Sequence, residues 1–327
     1  MPIDFLLDPQ RIRRIQDLEF KPSQLPHEFS SECDLCSGKV FRTIAHQDRY
    51  GFSGIYQLCE NCGLVFQNPH PTGKAYEEFY AKWYRPLLTA YLGRAENSNT
   101  IQVEQYEYAR KVVQFLKNSR CVEKLSVSVD IGGSTGIVAR AIEETFGGEC
   151  LVVDPSPDEL DVARKNGRTI ELGLAETWDS KGRQFDFVLI CRSIDHLLSI
   201  DKVFKKVASM LRPGGLFFVD FVDFETAARS IGDYRNKLKV DHVYYLSDTT
   251  MRQYFQKHGY EIVATDFANY QPGYLVRHTG RTEFSQDSSR PYAREFGRVL
   301  RDRLVSNPPS YPPDFLTKLY RRLRGRK

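Results

Sequence analysis

Between residues 96 and 118 the side chains Ile101, Gln105, Tyr108, Ala109, Val112, Val113 and Leu116 recur at three- and four-residue spacing, the period of a helix with one face against a core. The period then shortens. Residues 126–131 (SVSVDI) read as a strand and Gly132-Gly133-Ser134-Thr135-Gly136 as a loop, with Val138, Ala141, Ile142, Thr145 and Phe146 as the inner face of a second helix. Apolar runs at 151–154, 185–190 and 216–219 predict further buried strands, the last introduced by the turn residues Leu211-Arg212-Pro213-Gly214-Gly215. Ser247 caps a helix over 248–258 with Tyr254 and Phe255 beginning its buried face, and 261–266 with 274–277 form a terminal hairpin. Strand, glycine loop, helix and strand in that order predict an α/β fold around a largely parallel sheet.

Composition places this pattern in a folded chain of more than one domain: 327 residues, 41% hydrophobic, 27% charged, mean hydropathy −0.46. The longest apolar runs fall far below the roughly 18 residues of a membrane helix, and MPIDFLLDPQRIRR has no cationic lead before its apolar patch, so a cytoplasmic chain without a transmembrane segment is expected. A formal charge of +4 does not signal a nucleic-acid binder. It is unevenly spread, since His278 to Lys327 holds twelve Lys or Arg against five Asp or Glu.

Cys33-x2-Cys36 and Cys59-x2-Cys62 are two knuckles separated by 22 residues that contain β-prone runs around an Asp-Arg-Tyr-Gly turn. Two such knuckles joined by a hairpin complete a tetrahedral four-sulfur site for zinc, which leaves no open position and is therefore structural. From Cys33 to Thr72 the bases Lys39, Arg42 and Arg49 balance Asp34, Asp48 and Glu60, and a zinc held by four thiolates adds negative charge. Such a module repels phosphates, which disfavours nucleic acid as partner. The remaining cysteines are isolated, and burial as small hydrophobes is their default reading.

The glycine loop lets backbone approach a ligand closely and ends at a helix N-terminus, and the next strand ends in Asp154, 18 residues after Gly136, where a carboxylate can accept both hydroxyls of a ribose. That implies an adenosine-bearing cofactor. The dinucleotide pattern G-x-G-x-x-G fails, because Ser134 and Ile137 stand at its second and third glycines.

The run Asp130-Ile131-Gly132-Gly133-Ser134-Thr135-Gly136 resembles the first motif of the class I S-adenosylmethionine (SAM) methyltransferases. Asp154-Pro155-Ser156-Pro157 resembles the family's ribose-binding acid and the loop beside adenine, and Gly173-Leu174-Ala175-Glu176 its adenine-edge loop. Asp195-His196 is similar to the Glu-His that follows the fourth strand, and Asp241-His242-Val243-Tyr244-Tyr245-Leu246-Ser247 to a segment of a zinc-bearing subgroup. The resemblance implies a Rossmann-like sheet of order 3-2-1-4-5-7-6, SAM as cofactor, and cofactor contacts at Asp130, Gly132, Gly133, Gly136, Asp154, Pro155, Ala175, Glu176 and Cys191. Two positions depart from it: Ser134 replaces the middle glycine, and Leu174 stands where many relatives carry an acid.

His196 lies just beyond the fourth strand, on the edge where wound sheets place substrates, and is the first candidate base; His242 is a second base or a substrate contact. The order of the knuckles, CGLVFQNPHPT and the glycine loop resembles bacterial methyltransferases of surface polysaccharide or nucleotide sugars, so O- or C-methylation of a small-molecule or sugar-like acceptor is expected. An RNA or DNA methyltransferase and a noncatalytic scaffold of the same fold stay open as rivals. The chain divides into an extension (1–32), a zinc-ribbon-like module (33–72), a helical linker (73–125), the cofactor domain (126–280) and a basic C-terminal extension (281–327). In the last, Phe315, Leu316, Leu319, Tyr320 and Leu323 can share a helix face opposite basic residues, a pattern of weak contact with anionic membrane surfaces.

Overall fold

The computed structural model describes residues 9–97, 100–230, 234–267 and 271–306. Helix α1 (Pro9–Gln16) precedes five short strands: β1 (His27–Glu28), β2 (Phe41–Gln47), β3 (Ser53–Cys59), β4 (Val65–Gln67) and β5 (His70–Pro71). Strands β2 and β3 form the expected hairpin, whose turn is closed by Asp48 accepting the amides of Tyr50 and Phe52 at 2.9 Å each. The aromatic stretch that follows forms α2 (Gly73–Lys82), capped by Thr72, and α3 (Tyr84–Leu92), which ends at Gly93. The first periodic run is α4 (Ile101–Ser119).

Beyond it come β6 (Val127–Ile131), α5 (Ile137–Phe146), β7 (Glu149–Asp154), α6 (Pro157–Lys165), β8 (Ile170–Leu172), β9 (Phe185–Ile190), α7 (Ile200–Met210), β10 (Leu211–Asp220), α8 (Phe224–Ser230), β11 (Tyr244–Tyr245), α9 (Asp248–Lys257), β12 (Tyr260–Asp266), β13 (Gly273–His278) and α10 (Gln286–Ser306). Seven of these strands make one sheet in the order β12-β13-β10-β9-β6-β7-β8, the 3-2-1-4-5-7-6 arrangement counted from β6. Strands β6 to β10 run parallel, and β13 is antiparallel to both neighbours. The expected turn at 211–215 lies inside β10, as an irregularity of register between Leu211 and Leu216.

Alternation along the strands sorts the core into two layers. Phe187 and Leu189 face Val112, Ile142 and Leu160 of α4, α5 and α6. Val188 and Ile190 face Val203, Phe204 and Val207 of α7 and Met251, Tyr254 and Phe255 of α9. With both faces covered, β9 and β10 bury Phe187, Val188, Leu189, Ile190, Phe217, Phe218 and Val219, which is why these stretches read as continuous apolar runs. Chain order reverses between β6 and β9, and a crevice opens at their carboxyl ends.

A second sheet, β11-β4-β3-β2, joins the cysteine hairpin to the segment after β10. Tyr244 and Tyr245 pair with Phe66 and Val65, a long-range contact that no local pattern announces. Helix α10 lies over this sheet: Ala293, Phe296 and Leu300 are buried, the last two among Ile44, Tyr56, Leu58 and Tyr245. The described part of the basic extension is thus packed core on one face, through an i, i+3, i+7 apolar stripe. The Phe315 to Leu323 pattern lies outside the described residues. Among those described, no helix is long and apolar enough to cross a membrane.

Candidate active site

The crevice is a cavity of about 360 Å³ whose walls include Asp130, Gly132, Gly133, Ser134, Asp154, Pro155, Ala175, Glu176, Cys191, His196 and His242. Of the positions expected to meet cofactor, Gly136 alone is absent from these walls. Its φ is +75° and a Cβ there would meet Arg168, Val152 and Ala163, so it is a glycine because of the packing behind the loop. At Gly132 (φ +77°) a Cβ would come within 2.5 Å of Ser193 Oγ. Within the loop, Gly132 and Gly133 donate to the Val153 carbonyl, and Ser134 to Asp154 Oδ2 at 2.9 Å.

Asp154 is held at the end of β7 by that bond and by the Ser156 amide on its other oxygen at 2.8 Å. Burial nevertheless pushes its pKa up to about 6 against those two donors. Asp130 is more exceptional. Neither of its carboxylate oxygens has a hydrogen-bond partner, both are buried, and the side chain borders the cavity. Burial, with Asp154 and Asp220 close by, raises it to about 7. Asp220, also raised by burial, to about 6, accepts Tyr108 Oη at 2.8 Å and the Arg192 amide at 2.7 Å. Ser134 holds a left-handed φ of +51°, stabilised by Oγ donating to Glu159 and accepting from Gln105. Glu176 accepts the Leu198 and Ser199 amides at 2.6 and 3.1 Å, fixing the start of α7 beside the cavity.

The opposite wall gathers both histidines. His196 Nδ1 is 2.9 Å from the Asp241 carbonyl and 2.7 Å from Tyr80 Oη. A carbonyl only accepts, so Nδ1 carries the hydrogen and Nε2 keeps its lone pair. Burial first, and His242 second, lowers His196 to about 4. The two rings lie 4.3 Å apart. His242 Nδ1 contacts Asp195 Oδ2 at 2.9 Å, and its Nε2 meets Lys239 Nζ at 2.9 Å. Burial favours a neutral Asp195, but His242, His196 and Lys239 together hold it well below the usual carboxylate range. Asp195, His196 and His242 bring donor atoms within 4.8 Å of one another, the spacing of a metal site. Lys239 brings its own positive charge to that cluster, against His242 Nε2.

A family model described as a methyltransferase domain matches residues 101–265, half of the chain. The chain belongs to this methyltransferase-domain family. It is similar to the ubiquinone biosynthesis O-methyltransferase of Agrobacterium fabrum, with 26% identity over 162 residues covering 46% of this chain and 62% of that one. The corresponding protein of a Chelativorans species is 32% identical over 97 residues, 28% of this chain and 38% of that one. The chain therefore spans less than two thirds of the length of these curated relatives. Among solved structures it is similar to a SAM-dependent methyltransferase from Clostridium acetobutylicum (TM-score 0.43, 16% identity, covering 51% of this chain and 91% of the other) and to the mitomycin 7-O-methyltransferase (TM-score 0.48, 16% identity, 62% and 60%).

Ahead of the methyltransferase-domain match, all four paired cysteines are buried with their sulfurs within 4.8 Å of one another. Cys33 and Cys62 are 3.6 Å apart, as are Cys36 and Cys59. Four sulfurs about 2.3 Å from a tetrahedral ion lie roughly 3.8 Å apart, so the donor set fits zinc. The centre is bound into the domain: Asp34 accepts from Ser199 Oγ at 2.6 Å and Tyr254 Oη at 2.7 Å, and Lys257 donates to the Asp34 carbonyl. At the hairpin's far end the Arg49 amide donates to the Leu238 carbonyl and Asp48 accepts the Val240 amide, both at 2.9 Å, so the cysteine module carries the loop that bears Lys239, Asp241 and His242.

Among the other cysteines, Cys150 is buried and Cys121 half-buried. The residues that sequence reasoning missed are Lys239, Tyr80 and the bridging role of Asp195. Tyr76 and Tyr80, four apart on α2, were a legible signal for an aromatic wall. Lys239 had none, since its place depends on the β11–β4 pairing.

Proposed function

We propose that this chain is a SAM-dependent methyltransferase acting on a hydroxyl of a small acceptor, with one structural zinc held by Cys33, Cys36, Cys59 and Cys62. The observation that carries this reading is the unpartnered carboxylate of Asp130 in the cavity beside Asp154. A buried carboxylate without donors is costly, and a cationic ligand offsets that cost. The cofactor, when bound, supplies an activated methyl group on a sulfonium. Gly132 and Gly133 let the chain approach it, Asp154 receives the ribose hydroxyls, Pro155, Ala175 and Glu176 border the adenine, and Cys191 borders the same cavity. Facing them, His196 Nε2 accepts the acceptor's proton while Asp241 and Tyr80 hold the ring, and the walls keep the acceptor in attack geometry.

The relatives named for O-methyl transfer in ubiquinone biosynthesis support a small hydroxyl acceptor. The order of sequence motifs supports a sugar-like one, such as a nucleotide sugar or polysaccharide precursor. Both classes belong in the acceptor screen. The charge balance of the cysteine module gives no support to a nucleic-acid substrate, and we place the enzyme in the cytoplasm.

Calorimetric titration with S-adenosylhomocysteine tests the reading. Binding in the micromolar range is expected, weakened at least about tenfold in Asp154→Ala, which loses two charge-assisted hydrogen bonds. Absence of binding to folded, metal-loaded protein would leave the scaffold reading in its place.

The raised carboxylates add a pH test. Between about pH 4 and 7 the folded, cofactor-free protein binds more protons at Asp130, Asp154 and Asp220 than the unfolded chain does, so these groups make it less stable as pH rises through that window. A sulfonium favours their ionised forms, so SAM binding at pH 6.5 should release protons and tighten toward pH 7.5. Titrations in two buffers of different ionisation heat measure this. Proton uptake, or no exchange, contradicts the placement of the cation beside Asp130.

A further inference from the structure

Lys239 stands where neither local pattern nor family resemblance assigns a role. It borders the acceptor side of the cavity with His196, His242 and Asp195. With the Asp195 carboxylate accepting from Nδ1–H of His242, the lone pair at Nε2 accepts from the Lys239 ammonium, and the three form a chain of fixed polarity. His242 is then not a free base, because its lone pair is already taken. An ammonium has three hydrogens, and among the described residues His242 is the one partner bonded to Nζ. The backbone of Lys239 is clamped: Tyr245 Oη accepts its amide at 2.8 Å and donates to its carbonyl at 2.9 Å. Tyr245 in turn is fixed in β11 against the cysteine module.

We propose that Lys239 selects acceptors whose hydroxyl ionises near neutral pH, a phenol or an enol, by setting its ammonium against the acceptor oxyanion. This inference rests on the methyltransferase reading and deepens it. His196 is a weak base, held far below the pKa of an ordinary alcohol, so a sugar hydroxyl would keep its proton. An acidic hydroxyl narrows that gap, so its proton moves to His196 Nε2 only as the methyl is transferred, and the oxyanion that develops is one that a partly buried cation stabilises more than one in water would. The charged groups facing Lys239 are few. Burial lowers the Lys239 pKa from its ordinary value, with Arg49 and Lys237 adding to the fall, and Asp241 and Asp195 oppose it.

The probe is 4-nitrophenol, whose phenolate absorbs in the visible, titrated against the full-length protein saturated with S-adenosylhomocysteine. The bound phenol is expected to ionise about one unit or more below its free value, as beside a close opposite charge. Lys239→Met should remove that shift while S-adenosylhomocysteine affinity is unchanged, and Lys239→Arg should keep most of it. Lys239→Gln serves where the methionine variant does not fold. An unshifted bound phenol in the native protein, a shift that survives Lys239→Met, or nitrophenol failing to bind protein that binds S-adenosylhomocysteine overturns the proposal and leaves the methyltransferase reading standing. Failure of the native protein to bind S-adenosylhomocysteine overturns that reading itself.

Discussion

Stripping the metal from the four-cysteine centre, or replacing Cys59 by Ser, is expected to lower the melting temperature by more than about 10 °C and to abolish methyl transfer. Structural zinc contributes on the order of 10 kcal/mol in small zinc modules, comparable with the whole stability of an ordinary domain. A loss of about two thirds of that moves the midpoint of a chain this long by roughly 10 °C. The damage cannot stay local here. Cys33, Cys36, Cys59 and Cys62 belong to the same buried cluster as Val129, Val188 and Phe217 of the central sheet, and Asp34 is bonded to Ser199 and Tyr254. The hairpin also carries the loop of Lys239 and His242 through Asp48 and Arg49. Thermal melts of chelator-treated protein, with metal content measured in parallel, decide the matter. About one zinc per chain and a melt that falls with its removal are expected; an unchanged melt after complete removal refutes the structural role.

That integration is also where reading the sequence reached its limit. Strands β6, β7, β9 and β10 followed from runs such as 185–190, because a strand buried on both faces needs no partner to be recognised, whereas β8, a half-exposed edge strand of three residues, left no such run. The sheet order came from motif resemblance and is the order found. Local chemistry likewise placed the capping of α9, where Ser247 and Thr250 bond each other's backbone amides. The cysteines were legible as pairs, since knuckle spacing is set within a few residues. What stayed hidden depends on contacts far apart in the chain. Pairing of Tyr244 and Tyr245 with β4 joins residues nearly 180 positions apart, and α10 closes over a hairpin some 240 positions earlier. The histidines were named from their place after a strand, but their partners Tyr80, Asp195 and Lys239 come from three separate segments. Gly136 shows what a motif leaves out: its place in the glycine loop was legible, but not that a Cβ there would meet Arg168, Val152 and Ala163 behind the loop.

Replacing His196 by Gln is expected to lower kcat by about 10² at saturating cofactor, the lower end of what a positioned base contributes, with S-adenosylhomocysteine affinity unchanged. The variant keeps an amide near the ring's place, so Tyr80 and the Asp241 carbonyl retain a partner and folding should be little affected. The pH dependence separates a base from a packing residue. Burial and His242 hold His196 near 4, so its neutral form is present throughout pH 6–8 and is lost only as pH falls through about 4. The native enzyme should therefore show an acid limb in kcat below about pH 5 that is missing in His196→Gln. Saturating cofactor is essential, because ionisation of Asp130 near pH 7 would otherwise impose a limb of its own through binding. A variant with native kcat sinks the base assignment. A variant slowed a hundredfold that keeps the acid limb makes the ring a positioning group, and the acceptor then loses its proton to solvent, reacting as an oxyanion beside Lys239.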